Sequence, residues 1–207
     1  MSKTYLKKSV YISLYSTFLA ASLIFSTQII AQNLVLSSGG QTGTSGTNWS
    51  TSGTNPVTIT TTGAANINTS VITGYLNAGT SVIVVNNSAG SNVNSNITKT
   101  TGAAASFTLK DVGYIKVADN ITISSSSNAL DIILWSDHDL SQSGTVNDFI
   151  YCGIGSSFTS NGGKIVMAGG PDNGSNGGVN ADGIPDGFAW NGSNDVASGA
   201  NTIGGLT

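Results

Sequence analysis

The chain has 207 residues, of which only 8% are charged; it holds 27 Gly, no Glu and no Arg, and its formal net charge is −3. With seven Lys against ten Asp it lacks the basic footprint that nucleic acid demands, and an acidic sugar would meet a like-charged surface. Little charge combined with β-branched residues at regular positions also separates it from disordered chains, which are highly charged and poor in Val and Ile.

The chain opens on Lys3, Lys7 and Lys8, followed by an apolar stretch from Val10 to Ile30 and the junction Ile29-Ile30-Ala31-Gln32. A basic start, an apolar middle and a small residue at the break predict a secretory signal peptide over 1–32. An uncleaved anchor is the weaker reading, although about 20 apolar residues can span a bilayer. The exported remainder carries Lys99, Lys110, Lys116 and Lys164 against ten Asp, a formal charge of 4 − 10 = −6. Its single cysteine, Cys152, sits in the apolar run Phe149-Ile150-Tyr151-Cys152 and reads as a small core residue rather than a nucleophile.

Residues 33–55 are mostly Ser, Thr, Gly and Asn around Leu34-Val35-Leu36 and Trp49, and predict a short strand within an irregular N-terminal cap. From 56 to 170 short runs alternate apolar with polar, the period of a strand with one buried face. Val57, Val82, Phe107 and Ile132 stand 25 residues apart, and Ile72, Ile97 and Ile121 keep nearly that step. A fixed period with short strands and no helical signal predicts an all-β fold, a right-handed parallel β-helix of about 25 residues per coil. The alternation predicts apolar side chains inward and Thr, Ser, Asn and Lys outward. Stacked Asn or Ser at equivalent turns would form side-chain ladders. Residues 171–207 predict a Gly/Asn/Asp-rich loop and the start of a further coil, as expected of the N-terminal part of a longer protein.

Asn120 to Gly170, with Ile121-Thr-Ile123, Asn128-Ala-Leu-Asp-Ile-Ile-Leu-Trp135 and Phe158-Thr-Ser-Asn-Gly-Gly-Lys-Ile-Val-Met-Ala-Gly-Gly170, resembles coils of filamentous-haemagglutinin-type surface proteins. These are large bacterial adhesins with right-handed β-helical stalks. The Asn-Pro-Asn-Leu and Asn-Pro-Asn-Gly-Ile motifs of two-partner secretion are missing, with Asn55-Pro56 a partial match. The Ile-Ala-Gln end of the leader is similar to exported proteins of the Bacteroidetes. The resemblance implies an exported, non-catalytic, adhesin-like stalk or passenger segment at the cell surface. Its partners would be an export machinery and host or neighbouring-cell glycans or proteins, with no nucleic acid and no membrane once the signal is cleaved.

The rival class is a β-helical polysaccharide hydrolase or lyase with loop-borne Asp residues. Asp137, His138 and Asp139 hold the only His beside two carboxylates, an acid–base combination, and are the candidate catalytic residues. A polar loop is the simpler reading, since on an extended strand the two Asp would face away from His138. Asp172, Asp182, Asp186 and Asp195 lie in the tail, and Asn180-Ala-Asp-Gly-Ile-Pro-Asp186-Gly faintly resembles the calcium repeats of extracellular stalk proteins. That makes Asp172, Asp182 and Asp186 candidate ligands of a structural Ca²⁺, with a solvated loop as the default. No other cofactor is expected.

Overall fold

A computed structural model describes residues 33–88, 90–139, 149–174 and 180–186. The predicted signal peptide and the start of a further coil lie outside them. In chain order the elements are β1 (Leu34–Ser37), β2 (Ser45–Gly46), β3 (Trp49–Ser52), β4 (Val57–Thr61), β5 (Ala65–Asn68), α1 (Thr69–Asn77), β6 (Val82–Asn86), β7 (Ser91–Val93) and β8 (Ile97–Lys99). There follow β9 (Ala105–Asp111), β10 (Ile115–Val117), β11 (Thr122–Ser125), β12 (Leu130–Ser136), β13 (Ile150–Cys152), β14 (Ser157–Thr159) and β15 (Ile165–Gly169).

These strands form three sheets: five strands in the order β13-β10-β7-β1-β5, three as β14-β11-β8, and seven as β15-β12-β9-β6-β4-β3-β2. The 25-residue step is a strand register, because Val57 partners Val82, Val82 partners Phe107 and Phe107 partners Ile132, all in parallel. Between successive strands of this series the chain passes to the five-stranded sheet and then, after β6 and β9, to the three-stranded sheet before returning; after β4 the helix takes that third place. The core runs between the sheets in columns. Ile59, Val84, Leu109 and Leu134 form one, and Ile97, Ile123 and Phe158 another, each residue at most 1% exposed.

The expected all-β, right-handed parallel β-helix needs correction: the fold is mixed α/β, built on three separate sheets with both parallel and antiparallel pairing. The first departure is α1. Ile72, placed by periodicity in a strand series with Ile97 and Ile121, is helical, and the strand partner of Ile97 is Ile123. The local chemistry explains the switch. The Asn68 side chain caps the helix by accepting from the Ser70 N–H at 2.9 Å, while Thr69, Ile72 and Leu76, spaced three and four apart, face the core. Gly79 ends it in a left-handed conformation, φ 76°, that any other residue would adopt under strain.

The second departure is the entry segment. Strands β2 and β3 are antiparallel, β3 pairs antiparallel with β4, and β1 lies between β5 and β7, one strand in from the edge of the five-stranded sheet. The expected cap over 33–55 therefore contributes an interior strand. The third departure is the outward face of the seven-stranded sheet. Ile83, Thr108, Ile133 and Val166 pair in one row, and Val85, Lys110, Trp135 and Ala168 in the next, opposite in parity to the core columns. That face is largely apolar, as in parallel sheets covered on both sides.

Candidate functional site

The only histidine sits where β12 leaves the seven-stranded sheet. Asp137 takes a left-handed conformation, φ 48°, directly after the strand, so the strand alternation expected for Asp137, His138 and Asp139 does not apply. The segment then crosses the preceding turn: the Asp137 N–H donates to the Gly113 carbonyl at 3.3 Å and the His138 N–H to the Asp111 carbonyl at 3.1 Å. The Trp135 indole N–H donates to the Gly170 carbonyl at 2.7 Å, Lys110 Nζ lies 3.9 Å from the Trp135 ring centre, and the His138 ring stands edge-on to it at 6.5 Å.

Burial depresses the His138 pKa below its ordinary 6.5, with Asp139 opposing the shift and Lys110 adding to it. The imidazole is therefore neutral at pH 7, and its buried Nε2 meets no hydrogen-bond partner among the described residues. Burial likewise lowers the Lys110 pKa, against the opposing charge of Asp172. The charge of Asp139 acts on His138, and Lys110 and Asp111 are neighbours of this corner that sequence reading missed.

Asp111 is the carboxylate with a clearly raised pKa among the described residues. It is wholly buried at the end of β9, where Oδ2 accepts from Asn86 Nδ2 at 2.8 Å and from the Ser91 hydroxyl, and Oδ1 accepts the Gly113 N–H at 2.7 Å. Desolvation outweighs these bonds and raises its pKa to about 6, with Asp139 adding to the rise. Asn86 is itself held by Thr61, whose hydroxyl donates to Asn86 Oδ1 at 2.7 Å. Thr61, Asn86, Asp111 and Ser136 recur every 25 residues, one at the end of each apolar run, and make a buried polar ladder. That spacing was the signal in the sequence. The ladder frays at its last rung, where Ser136 Oγ is buried without a partner among the described residues.

Two further carboxylates act as clasps between successive layers. Asp119 Oδ1 accepts the Ile154 N–H at 2.9 Å and Asp131 Oδ1 the Lys164 N–H at 2.8 Å. Asn55, Asn77 and Asn96 do the same for Ser81, Thr100 and Thr122 at 3.0, 2.7 and 2.8 Å. In each case a side-chain oxygen stands in for a carbonyl where the backbone ladder breaks at a turn. Lys99, fully buried, donates to the Thr101 and Gly102 carbonyls at 2.8 and 3.0 Å and to the Ser127 hydroxyl at 2.9 Å, which uses all three of its hydrogens. Desolvation lowers its pKa. Burial pushes the Cys152 thiol up to about 11, and its sulfur lies 3.8 Å from that of Met167, which suits a core residue and not a nucleophile.

The candidate calcium ligands are brought together, but as turn locks. Asp172 accepts the Asp182 and Gly183 N–H groups at 3.2 and 2.7 Å, Asp182 accepts the Ile184 N–H at 2.9 Å, and Asp186 accepts those of Asn173 and Gly174 at 2.7 and 2.6 Å. Among the described residues no three His, Cys, Asp or Glu side chains converge as a metal set. Asp195 lies outside the described residues. The chain matches no family model, no curated protein and no solved structure.

Proposed function

We propose that the chain is an exported, non-catalytic segment displayed at the cell surface, a stalk or passenger part of an adhesin-like protein. The observation that carries this reading is where the ionisable side chains go. Asp119, Asp131, Asp172 and Asp186 each tie the backbone of one stretch to another, and Asp111 and Lys99 reach side chains of neighbouring strands and turns. Such clasps stiffen a stack of parallel strands without disulfides, which suits a chain built to hold a display surface in place. The leader over 1–32 supports export, and the outward Thr98, Ser124 and Thr159 of the three-stranded sheet offer weak, repeated hydrogen bonds to glycans or neighbouring proteins. The test is the apparent mass and location of the native polypeptide, followed with an antibody to residues 33–207 on intact and protease-shaved cells. A surface signal much heavier than 20.9 kDa is expected, and a small, freely released species would overturn the reading.

A second reading rests on one observation, the neutral, half-buried His138 beside Asp139 and Lys110. It is polysaccharide cleavage from this corner. It predicts glycan degradation by the parent that is lost in both His138→Ala and Asp139→Asn.

A further inference from the structure

The outer face of the five-stranded sheet carries an aromatic cluster that the surface-display reading does not use. Opposite in parity to the buried Ile115 and Val117 of β10 are Tyr114 and Lys116, and beside them at β13 stand Phe149 and Tyr151. The Tyr114 and Phe149 rings stack, parallel to within 9° at 5.3 Å, and Lys116 Nζ lies 5.5 Å from the Tyr151 ring centre. Tyr114 also lies over Gly90, where a Cβ would collide with its ring, so the glycine leaves room for the stack. The row of Tyr151 and Lys116 continues in register across β7, β1 and β5 as Asn92, Val35 and Asn66. Lys116 and Asn66 are exposed and the three rings are half-buried, so solvent reaches this face. A further coil would add a strand beyond β13 and lengthen the face without covering it. The other sheets offer nothing comparable. Trp135 is 4% exposed with its indole N–H spent on the Gly170 carbonyl, and the outward row of the three-stranded sheet is Thr98, Ser124 and Thr159.

We propose that this face binds a neutral, extended glycan, with sugar rings against Phe149 and Tyr151 and hydroxyls hydrogen-bonded by Asn92 and Lys116. A pyranose has an apolar C–H face, slightly positive, inside a rim of hydroxyls. The C–H face suits the negative face of an aromatic ring, and the hydroxyls need groups that both donate and accept, as an Asn amide does. The Asn92 amide has no hydrogen-bond partner among the described residues, so both of its functions are open to a ligand. Lys116 is the single cation of the cluster, and the exported chain's excess of Asp over Lys disfavours an anionic polymer. The spacing suits a chain of β-linked hexoses, which advances per sugar by nearly the distance between neighbouring strands, about 4.8 Å.

The inference goes beyond the surface-display reading and does not depend on it, since binding is read in solution and display on cells. The test is calorimetric titration of the exported chain with cellohexaose and mannohexaose, and with a hexamer of galacturonate as the anionic comparison. Saturable binding of a neutral hexaose is expected. It should weaken about threefold to tenfold in Tyr151→Ala and in Asn92→Ala, and stay unchanged in Thr98→Ala on the three-stranded sheet. Tyr151 and Asn92 lie off the core columns, so both variants keep the interior. Should Tyr151→Ala fail to fold, Asn92→Ala decides. No binding of either neutral hexaose, a preference for the galacturonate hexamer, or binding indifferent to both substitutions overturns the proposal.

Discussion

The two ends of the stacked sheets solve the same problem in opposite ways. At the first end every sheet is closed by a different device: an antiparallel hairpin on β4, the Gln41 bridge on β5, and α1 beside β8. At the last end three uncharged strands stand in a row with their core side chains half covered. A helix makes its backbone hydrogen bonds internally, so placing α1 where a strand would otherwise stack removes an edge without needing a partner. The lesson is that a repeat alone does not specify a fold; what interrupts it decides how a sheet edge is closed.

The comparison can be broken most directly by truncating one core residue at each end. Ile72→Ala, in the closing helix, is expected to cost about 2–5 kcal/mol, as for a fully buried aliphatic side chain. Met167→Ala, at the open edge, should cost clearly less, and urea unfolding of the two variants gives the ordering. Equal losses would mean that the last strand is as well covered as the first.

Next in size is the ladder that joins the two ends. Asp111 keeps its proton to about pH 6 in the folded chain, against 3.8 when unfolded, so between those values the folded state binds more protons. Stability therefore falls as pH rises from about 4 to 6, by up to about 3 kcal/mol from this group. His138, with its folded pKa below 6.5, acts in the opposite sense and loses stability as pH falls below about 6.5. The difference between parent and Asp111→Asn in thermal melts at pH 4, 5 and 7 isolates the Asp111 contribution. A parent and variant with parallel pH profiles would contradict it.

Smaller effects sharpen the picture. Asn68→Ala removes the cap of α1 and should cost about 1 kcal/mol by denaturant melt, since Ser70 N–H loses its acceptor. Lys110→Ala removes the cation above Trp135 near the open end and should cost about 0.5–1 kcal/mol, read by the same melt and by a change in Trp emission.

Much of the register was legible in the sequence, because the pairs Val57–Val82, Val82–Phe107 and Phe107–Ile132 repeat a single apolar position at a fixed spacing. The class was not. Asn68 to Gly79 carries a cap, a three-and-four apolar spacing and a glycine stop, but Ile72 fell on the repeat and hid the helix. Strand β1 was visible as Leu34-Val35-Leu36, yet nothing local places it between β5 and β7, since that pairing is long-range. In the candidate site Asp137, His138 and Asp139 stood out by residue type, whereas nothing in its local sequence singled out Asp111. Its burial depends on Asn86 and Ser91, 25 and 20 residues away, which are side-chain contacts that spacing hints at but does not assign.

The contrast between the two ends is tested most directly by amide hydrogen exchange on the exported chain. The account predicts that the amides of β15, the last strand of its sheet among the described residues, exchange faster than those of β4 and α1. Equal protection at the two ends would contradict it.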